Sequence, residues 1–299
     1  MKEEVSQNFT NVLNFSRKTI LQRFISRPFY VIYKVLISKF YNLLFANKPF
    51  FVSEKTFWGD KMKMVLPEDA SLFHWGMVPG EEENLTRYMI QTVQEGWVVI
   101  DIGANHGYYS LLLSKLVGRN GKVYCFEPTP STTKILKENT EKKENVIVEQ
   151  KAIWSKNEKL DFTDYGQGFS AYNSFLPNVD WKDTEKPKSK INIQVDGIVL
   201  DNYLKFSKIR PDFIKLDVEG AELDALIGMR ATLIACTPII SVEFWVNSLW
   251  SNRNDEILSF FEKINYSVFR IDGKGITNFF KENAHFEHDY TNLVFISKK

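Results

Sequence analysis

VVIDIGANHGYYS, Val98–Ser110, reads as a strand, a turn and a helix in direct succession. An apolar run ends at Asp101, a turn follows with Gly103 and Gly107, and the apolar residues after it recur at helical spacing. This succession is typical of the first unit of an open α/β sheet. The glycines of such a turn let backbone come close to a ligand at the carboxyl end of the strand. We therefore predict that a ligand binds at this turn.

The downstream sequence repeats the alternation of strands and helices. The strand-like runs are WVVIDI, KVYCFE, VIVEQKAIW, DFIKLD, PIISVEFW and YSVFRI. The intervening helical segments begin near Tyr108, Pro130, Val199, Gly220 and Asn254. This order predicts an α/β fold, with a parallel sheet and helices on both of its faces. The final run, Thr291–Ser297, follows a polar loop without a helix, so we predict that it enters the sheet antiparallel, beside YSVFRI.

The chain divides by composition into two parts. Residues 1–60 are predicted to be a basic, aromatic-rich helical extension, in which Pro28 begins a new helix. Residues 61–299 are predicted to form the α/β domain, with an insertion at 155–195 that has little periodicity. That insertion is either a surface loop region or a short-stranded lid over the ligand site. Its aromatic residues offer surfaces for stacking sugar rings or form a small core of their own; they are Tyr165, Phe169, Tyr172 and Trp181.

Charge and cysteine content limit the classes of partner. Lys and Arg number 38 against 37 Asp and Glu, which argues against nucleic acid as a partner. Residues 1–50, however, hold eight basic and two acidic residues. For residues 17–50 two interpretations stay open: a basic amphipathic segment on an anionic membrane or a partner, and helices packed on their own domain or on the second subunit of a homodimer. The sequence has two cysteines, and it shows neither a signal-peptide pattern nor an apolar run of about 18–20 residues. These features predict a cytoplasmic protein, which would be peripheral to a membrane if residues 17–50 bind lipid.

The turn after the first core strand points to a particular ligand chemistry. Its pattern is D-x-G-x-N-x-G, which lacks the G-x-G-x-x-G fingerprint of dinucleotide sites. An acidic residue at the strand end suits a cationic ligand better than a pyrophosphate, which indicates S-adenosylmethionine. Glu127 closes the second strand twenty residues beyond Gly107, where an acceptor for the two ribose hydroxyls is expected.

Four motifs, in this order and at this spacing, resemble the FkbM-type methyltransferases: VVIDIGANHGYYSLLLSK, VYCFEPTP, FIKLDVEGAELDAL and ISVEF. The resemblance covers about residues 75–245, its fold-level part continues to Ser297, and residues 1–60 lie outside it. It implies a Rossmann-like class I methyltransferase sheet and methyl transfer from S-adenosylmethionine, mostly to hydroxyl oxygens of sugars and polyketides. It also implies that Ala152 and Ile153 border the adenine. The candidate cofactor-binding residues are Asp101, Gly103, Asn105, Gly107, Ser110, Glu127, Pro128, Ala152, Ile153 and Asp217.

Acidic residues at two further strand ends are the candidate catalytic groups. A sugar hydroxyl is a poor nucleophile until it loses its proton, so a general base should assist methyl transfer. Asp217, Glu219 and Glu243 are the catalytic candidates, with His106 and His74 as alternatives. Our hypothesis is that Glu219 or Asp217 orients and deprotonates the acceptor.

Metal binding is a secondary hypothesis. No residue is assigned as a metal ligand, but some O-methyltransferases hold Mg²⁺ with carboxylates at comparable strand ends, here Asp217 and Glu243. His285 and His288 have i,i+3 spacing, which by itself is weak support for a metal site.

The sequence thus predicts an O-methyltransferase that acts on a hydroxyl of a carbohydrate, a glycolipid or a related metabolite. The alternative is a non-catalytic module that binds a nucleoside, a membrane or a partner. Methylation of nucleic acid is disfavoured by the missing basic face, and a nicotinamide dehydrogenase by the missing glycine fingerprint.

Overall fold

The computed structural model describes residues 1–45, 48–175, 190–245, 251–279 and 290–299. Its first elements are the helices α1 Lys2–Ser16, α2 Ile20–Ser26 and α3 Pro28–Leu44. Thr19 and Gln22 form a capping box that begins α2. Pro28 is the first residue of α3, a position where the missing N–H costs no hydrogen bond, so the predicted helix start is confirmed.

A hairpin and two helices lead into the main sheet. They are β1 Phe50–Lys55, β2 Lys61–Leu66, α4 Ala70–Trp75 and α5 Glu81–Thr92. β1 and β2 pair antiparallel, with Lys55 opposite Lys61. The predicted boundary between extension and domain, at residue 60, therefore lies in the turn of this hairpin, and the division itself stays a prediction.

The remaining elements follow in chain order. They are β3 Val98–Ile102, α6 Tyr108–Val117, β4 Lys122–Phe126, α7 Pro130–Thr140, β5 Val146–Glu149, β6 Ala152–Ile153, β7 Glu158–Asp164, β8 Ile191–Ile198, α8 Leu200–Ser207, β9 Phe213–Leu216, α9 Glu222–Gly228, α10 Arg230–Cys236, β10 Ile239–Trp245, α11 Ser251–Lys263, β11 Tyr266–Asp272, β12 Gly275–Asn278 and β13 Tyr290–Ser297. A 3₁₀ turn occupies Ser170–Tyr172.

Among the described residues, the main sheet has the strand order β12-β11-β13-β10-β9-β3-β4-β5. Strands β5, β4, β3, β9 and β10 are parallel, and β13 lies antiparallel between β10 and β11. This is the Rossmann-like sheet with a reversed last strand that the sequence predicted. The run VIVEQKAIW was wrong as one strand, because the chain leaves the main sheet after Glu149 and Ala152–Ile153 pairs with β8 instead.

The described part of the insertion joins the flanking strand β6 in a second sheet, in the order β6-β8-β7. β7 and β8 pair antiparallel along their lengths, and Phe162 and Phe175 pack with Trp154 in a small apolar cluster. Trp181 lies outside the described residues. The small sheet continues directly from the carboxyl end of β5, which places it at the edge of the main sheet where a ligand is expected.

The core lies on both faces of the main sheet. Alternate residues of β3 point to opposite faces, so Val99 joins a cluster with α1, α5 and α6, and Ile100 joins one with α8, α9 and α11. Helix α1 belongs to the first cluster through Phe9, and its Lys2 Nζ donates to Gln91 O at 2.7 Å and Val93 O at 2.9 Å. In the described part of the chain, every helix is too short or too polar to cross a bilayer.

Candidate functional site

A cavity opens at the carboxyl ends of the parallel strands, between the main sheet and the small sheet. Its volume is about 140 Å³, whereas one water molecule requires roughly 10–15 Å³ on the same measure. There is therefore room for part of an organic ligand. The lining residues come from strand ends and the turns after them: Ile102, Gly103, Asn105, Phe126, Glu127, Pro128, Lys151, Ala152, Ile153, Phe162, Ser170, Ala171, Asn173, Phe175, Asp217, Val218 and Glu219.

Neighbouring protein atoms leave no room for a side chain at either glycine of the first turn. A Cβ on Gly103, whose φ is 78°, would lie 1.7 Å from the carbonyl oxygen of Asp217. A Cβ on Gly107, whose φ is 95°, would lie 2.7 Å from Leu136 Cδ1. Gly103 also lines the cavity, whereas Gly107 is not among the lining residues. The turn is thus pressed against the end of β9 and against α7, which holds its backbone at the mouth of the cavity.

Glu127, at the end of β4, presents a carboxylate to the cavity. Its Oε2 accepts a hydrogen bond from Asn105 N at 3.1 Å, and its Oε1 accepts one from Thr129 N at 2.9 Å. Burial raises the pKa of Glu127, and these backbone hydrogen bonds oppose the rise. Each oxygen has a further lone pair. The carboxylate can therefore accept from two vicinal hydroxyls, as a ribose would offer.

A polar network fixes the turn from the opposite side. Asn105 Nδ2 donates to Glu68 Oε1 at 3.1 Å, and Asn105 Oδ1 accepts from Ser170 Oγ at 3.0 Å. Ser170 N donates to Glu68 Oε2 at 2.8 Å. Asn105 has a φ of 46°, in the left-handed region that asparagine tolerates better than most residues. Glu68, just after β2, thus connects the turn to the insertion.

His106 is a structural cation in this network. Its Nδ1 lies 2.9 Å from Asp69 Oδ2, and its backbone oxygen accepts from Asn139 Nδ2 at 2.7 Å. Burial lowers the pKa of His106, but the charge and hydrogen bond of Asp69 outweigh burial and raise it to about 9. A protonated imidazole accepts no proton, so this raised pKa disfavours His106 as a general base near neutral pH.

A buried lysine neutralises part of the acidic cluster. Lys215 Nζ lies 3.0 Å from Asp217 Oδ2 and 3.8 Å from Asp101 Oδ1. Burial alone would lower the pKa of Lys215, but the two carboxylates together raise it. Asp101 is fully buried and accepts from Ser110 Oγ at 2.6 Å. Neither Asp101 nor Ser110 is among the residues that line the cavity, so both hold the site from behind.

Three carboxylates meet at the ends of β9 and β10. Oxygens of Asp217, Glu219 and Glu243 all lie within 4.8 Å of one another. Burial, and then the charges of its acidic neighbours, raise the pKa of Glu219 well above its usual value, and the same causes raise that of Glu243. Glu243 Oε2 accepts from Trp245 Nε1 at 3.0 Å, whereas the buried Glu219 Oε2 has no hydrogen-bond partner within the described residues. Glu219 lines the cavity, and Glu243 lies behind it.

The loop that carries Glu219 is held on several sides. Glu222 Oε1 accepts from Gly220 N at 3.1 Å and from Val218 N at 3.3 Å. Ser174 Oγ, from the insertion, donates to Glu219 O at 3.0 Å, and Arg253 Nη1 donates to Gly220 O. Glu219 itself has a φ of 50°, a left-handed conformation that costs free energy for a non-glycine residue. The loop thus holds this side chain in a defined place despite the strain.

The structure brings together most of the predicted site. Seven of the ten candidate cofactor-binding residues line the cavity: Gly103, Asn105, Glu127, Pro128, Ala152, Ile153 and Asp217. Their roles stay predictions. Glu68, Ser170 and Lys215 were missed by sequence reasoning. A signal existed only for Lys215, a charged residue inside the apolar run DFIKLD.

Other sequence candidates lie elsewhere. His74, in α4, has its Nε2 3.1 Å from Ser38 Oγ and contacts α3 rather than the cavity. His285 and His288 lie outside the described residues.

Comparison with known proteins supplies the family. The Methyltransferase FkbM domain matches residues 101–268, more than half of the chain. The hexuronic acid methyltransferase AglP of Haloferax volcanii is 26% identical over 155 residues, 51% of this chain and 58% of AglP. The 2-O-methyltransferase NoeI of Sinorhizobium fredii is 26% identical over 168 residues, 52% of this chain and 66% of NoeI. The alignments thus span less than two thirds of either relative.

Solved structures show the same kind of likeness. Methyltransferase FkbM from Methylobacillus flagellatus superposes with a TM-score of 0.42 and 16% identity, over 67% of this chain and 43% of that one. A SAM-dependent O-methyltransferase from Thermotoga maritima superposes with a TM-score of 0.41 and 14% identity, over 85% and 80%. The match from Asp101 to β11 decides the assignment: the chain belongs to the FkbM methyltransferase family.

Proposed function

We propose that this protein transfers the methyl group of S-adenosylmethionine to a hydroxyl of a carbohydrate, a glycolipid or a related metabolite. The observation that carries the proposal is the placement of Glu219, which lines the same cavity as Glu127. Its Oε2 has no hydrogen-bond partner within the described residues. The names of AglP and NoeI, a hexuronic acid methyltransferase and a 2-O-methyltransferase, support a sugar hydroxyl as the acceptor.

The residues present fit the cofactor. Glu127 offers its carboxylate to the ribose, Ala152 and Ile153 form an apolar wall for the adenine, and Gly103 lets backbone border the ligand. When bound, S-adenosylmethionine would supply a methyl carbon for in-line attack by an oxygen nucleophile, and the C–S bond would break to release the thioether S-adenosylhomocysteine. Glu219 Oε2 accepts the proton that the hydroxyl loses as its oxygen bonds to the methyl carbon. Asp217, whose Oδ2 lies 3.0 Å from Lys215 Nζ, lies beside it and orients the acceptor.

Magnesium stays a prediction for the same cluster. Three carboxylates with oxygens within 4.8 Å are hard donors of the kind that Mg²⁺ prefers, although Lys215 already compensates Asp217. A cation held by Asp217, Glu219 and Glu243 would lower the pKa of an acceptor hydroxyl. Turnover that is unchanged after treatment with EDTA would remove this part of the proposal.

The test combines an acceptor screen with a matched pair of variants. Hexuronic acids, neutral hexoses and glycolipids are incubated with labelled S-adenosylmethionine, and methylated products are identified by mass spectrometry. With an accepted substrate, Glu219→Gln should lower kcat by about 10²–10⁴-fold, because the amide takes up no proton. Its affinity for S-adenosylmethionine should stay unchanged.

Glu262→Gln, on the exposed side of α11, is the control and should keep full activity. An unchanged kcat in Glu219→Gln refutes the role of Glu219. Methylation confined to a nitrogen or carbon acceptor, or no binding of S-adenosylmethionine in calorimetry, refutes the proposed function.

A further inference from the structure

Helices α2 and α3 present an apolar surface to solvent, which we call the α2–α3 face. The exposed apolar side chains of α3 include Phe29, Ile32, Leu36, Phe40 and Leu43. Their spacing of three and four residues puts them on one stripe of the helix. Phe29 is 86% exposed and Leu43 is 81% exposed. A continuous apolar stripe on a surface marks a site of interaction.

The short helix α2, which contacts α3, also exposes apolar side chains, and these are counted as part of the α2–α3 face. Its exposed apolar residues are Ile20, Leu21, Phe24 and Ile25, and its Arg23 lies over the ring of Trp75 at 4.3 Å. The arginine therefore anchors one side of α2 to α4, while the apolar side is directed away from the protein.

The opposite side of α3 is fixed to the protein. Lys34 is buried, lies 2.8 Å from Glu54 Oε1, and has its ammonium 3.7 Å from the ring centre of Phe73. Tyr30 Oη donates to His74 O at 3.2 Å. These contacts determine which side of α3 faces outward, so the exposure of the apolar stripe follows from the fold.

The charge of this region identifies the class of occupant. Residues 17–50 contain seven basic residues and no acidic residue. Lys18, Arg27, Lys39 and Lys48 are exposed. A symmetric dimer through this face would bring two such basic segments together, since a two-fold interface repeats the same residues on both sides. An anionic bilayer instead offers negative headgroups to the lysines and arginines, and hydrocarbon to the apolar stripe.

We propose that the α2–α3 face docks on an anionic membrane surface, with α3 lying in the plane of the interface. The apolar stripe enters the headgroup region, and the basic side chains contact the lipid phosphates. The inference is independent of the acceptor, because it rests on residues that are remote in sequence from Glu127 and Glu219.

Sedimentation with vesicles tests the proposal on the full chain. Phosphatidylcholine vesicles containing about one third phosphatidylserine are compared with pure phosphatidylcholine vesicles, at low salt and at about 0.5 M salt. We expect the protein to pellet with the anionic vesicles at low salt and to be released by salt. The triple variant Phe29→Ser, Leu36→Ser, Leu43→Ser should lower the partition coefficient by at least tenfold.

The control is Phe206→Ser on α8, where the side chain is 89% exposed but lies outside the α2–α3 face. It should leave the partition coefficient unchanged. A second variant, Lys18→Glu with Lys39→Glu, should weaken binding to anionic vesicles and flatten its dependence on salt. Circular dichroism and S-adenosylmethionine affinity verify that each variant is folded.

Three results would overturn the proposal. The first is equal pelleting of the wild type with neutral and anionic vesicles, or none with either. The second is a triple variant that partitions like the wild type. The third is a wild type that sediments as a dimer in analytical ultracentrifugation while the triple variant is a monomer, because a second copy would then cover the face.

Discussion

Replacing Gly103 by alanine should damage both stability and cofactor binding. The new Cβ would lie 1.7 Å from Asp217 O, and real Cβ atoms essentially never approach below 3.0 Å, so the turn and the end of β9 must separate by about 1.3 Å. The left-handed φ costs an alanine about 1 kcal/mol, and overpacking adds about 1–3 kcal/mol. We therefore expect the free energy of unfolding to fall by about 2–4 kcal/mol.

The same displacement should weaken the site. Gly103 and Asp217 both line the cavity, and a misplacement of about 1 Å costs on the order of a hundredfold in well-aligned sites. Urea unfolding measures the stability, and calorimetric titration measures the affinity for S-adenosylmethionine. Cofactor affinity should fall at least tenfold in the folded variant.

Gly96→Ala is the matched control. Gly96 has a φ of 86°, close to that of Gly103, but a Cβ there meets nothing within 4 Å. It should lose only the conformational part, about 1 kcal/mol, and keep its affinity for the cofactor. If Gly103→Ala loses no more stability than Gly96→Ala and binds the cofactor as tightly, then the close approach of turn and strand is not what requires glycine.

Three further predictions follow from the charged groups. Lys215→Met should lower the free energy of unfolding by about 3–5 kcal/mol, because Asp101 is left buried without its cation. In urea unfolding, adding Asp101→Asn to this variant should recover part of the lost stability. No recovery would contradict the pairing of Asp101 with Lys215. The pKa of His106 is about 9 in the folded protein and about 6.5 in the unfolded chain, so protonation of His106 stabilises the fold fully below pH 6.5. This contribution, about 3 kcal/mol, is lost as the pH rises to 9. Asp69→Asn should flatten this dependence of the free energy of unfolding on pH, and an identical slope in both proteins would refute the prediction. Burial raises the pKa of Glu219, and a general base acts only when it is deprotonated, so kcat should rise as the pH rises through that raised pKa. A kcat that does not change over this range of pH would exclude Glu219 as the base.

The main sheet could be predicted because its strands and helices each carry a strong periodic signal. The alternation of strand-like and helical segments predicted the parallel strands, and the missing helix before Thr291 predicted the reversed last strand. The break after Glu149 was hidden, since the apolar run continues through Ile153 although the chain changes sheets. In β7 and β8, Leu160, Phe162 and Val195 alternate with polar residues within strands of seven and eight residues, so a strand signal was present that the sequence analysis did not use.

The site was predictable where its residues follow strand ends. The carboxyl ends of parallel strands share one edge of a sheet, which brings Asp101, Glu127 and Asp217 into one region from spacing alone. Glu68 and Ser170 could not be found in this way, because they come from segments 102 residues apart and meet only through tertiary packing. Sequence distance carries no information about such a contact.

Helix α1 has a consequence for how the chain folds as it is synthesised. Its Val5, Phe9 and Leu13 share a cluster with Leu85 and Met89 of α5, which leave the ribosome about 70 to 80 residues later. Phe57, whose ring centre lies 5.1 Å from that of Phe9, emerges earlier, but until α5 follows the apolar side of α1 lacks part of its native packing. Nascent chains that stall before this point therefore expose apolar surface of α1 to chaperones and to one another.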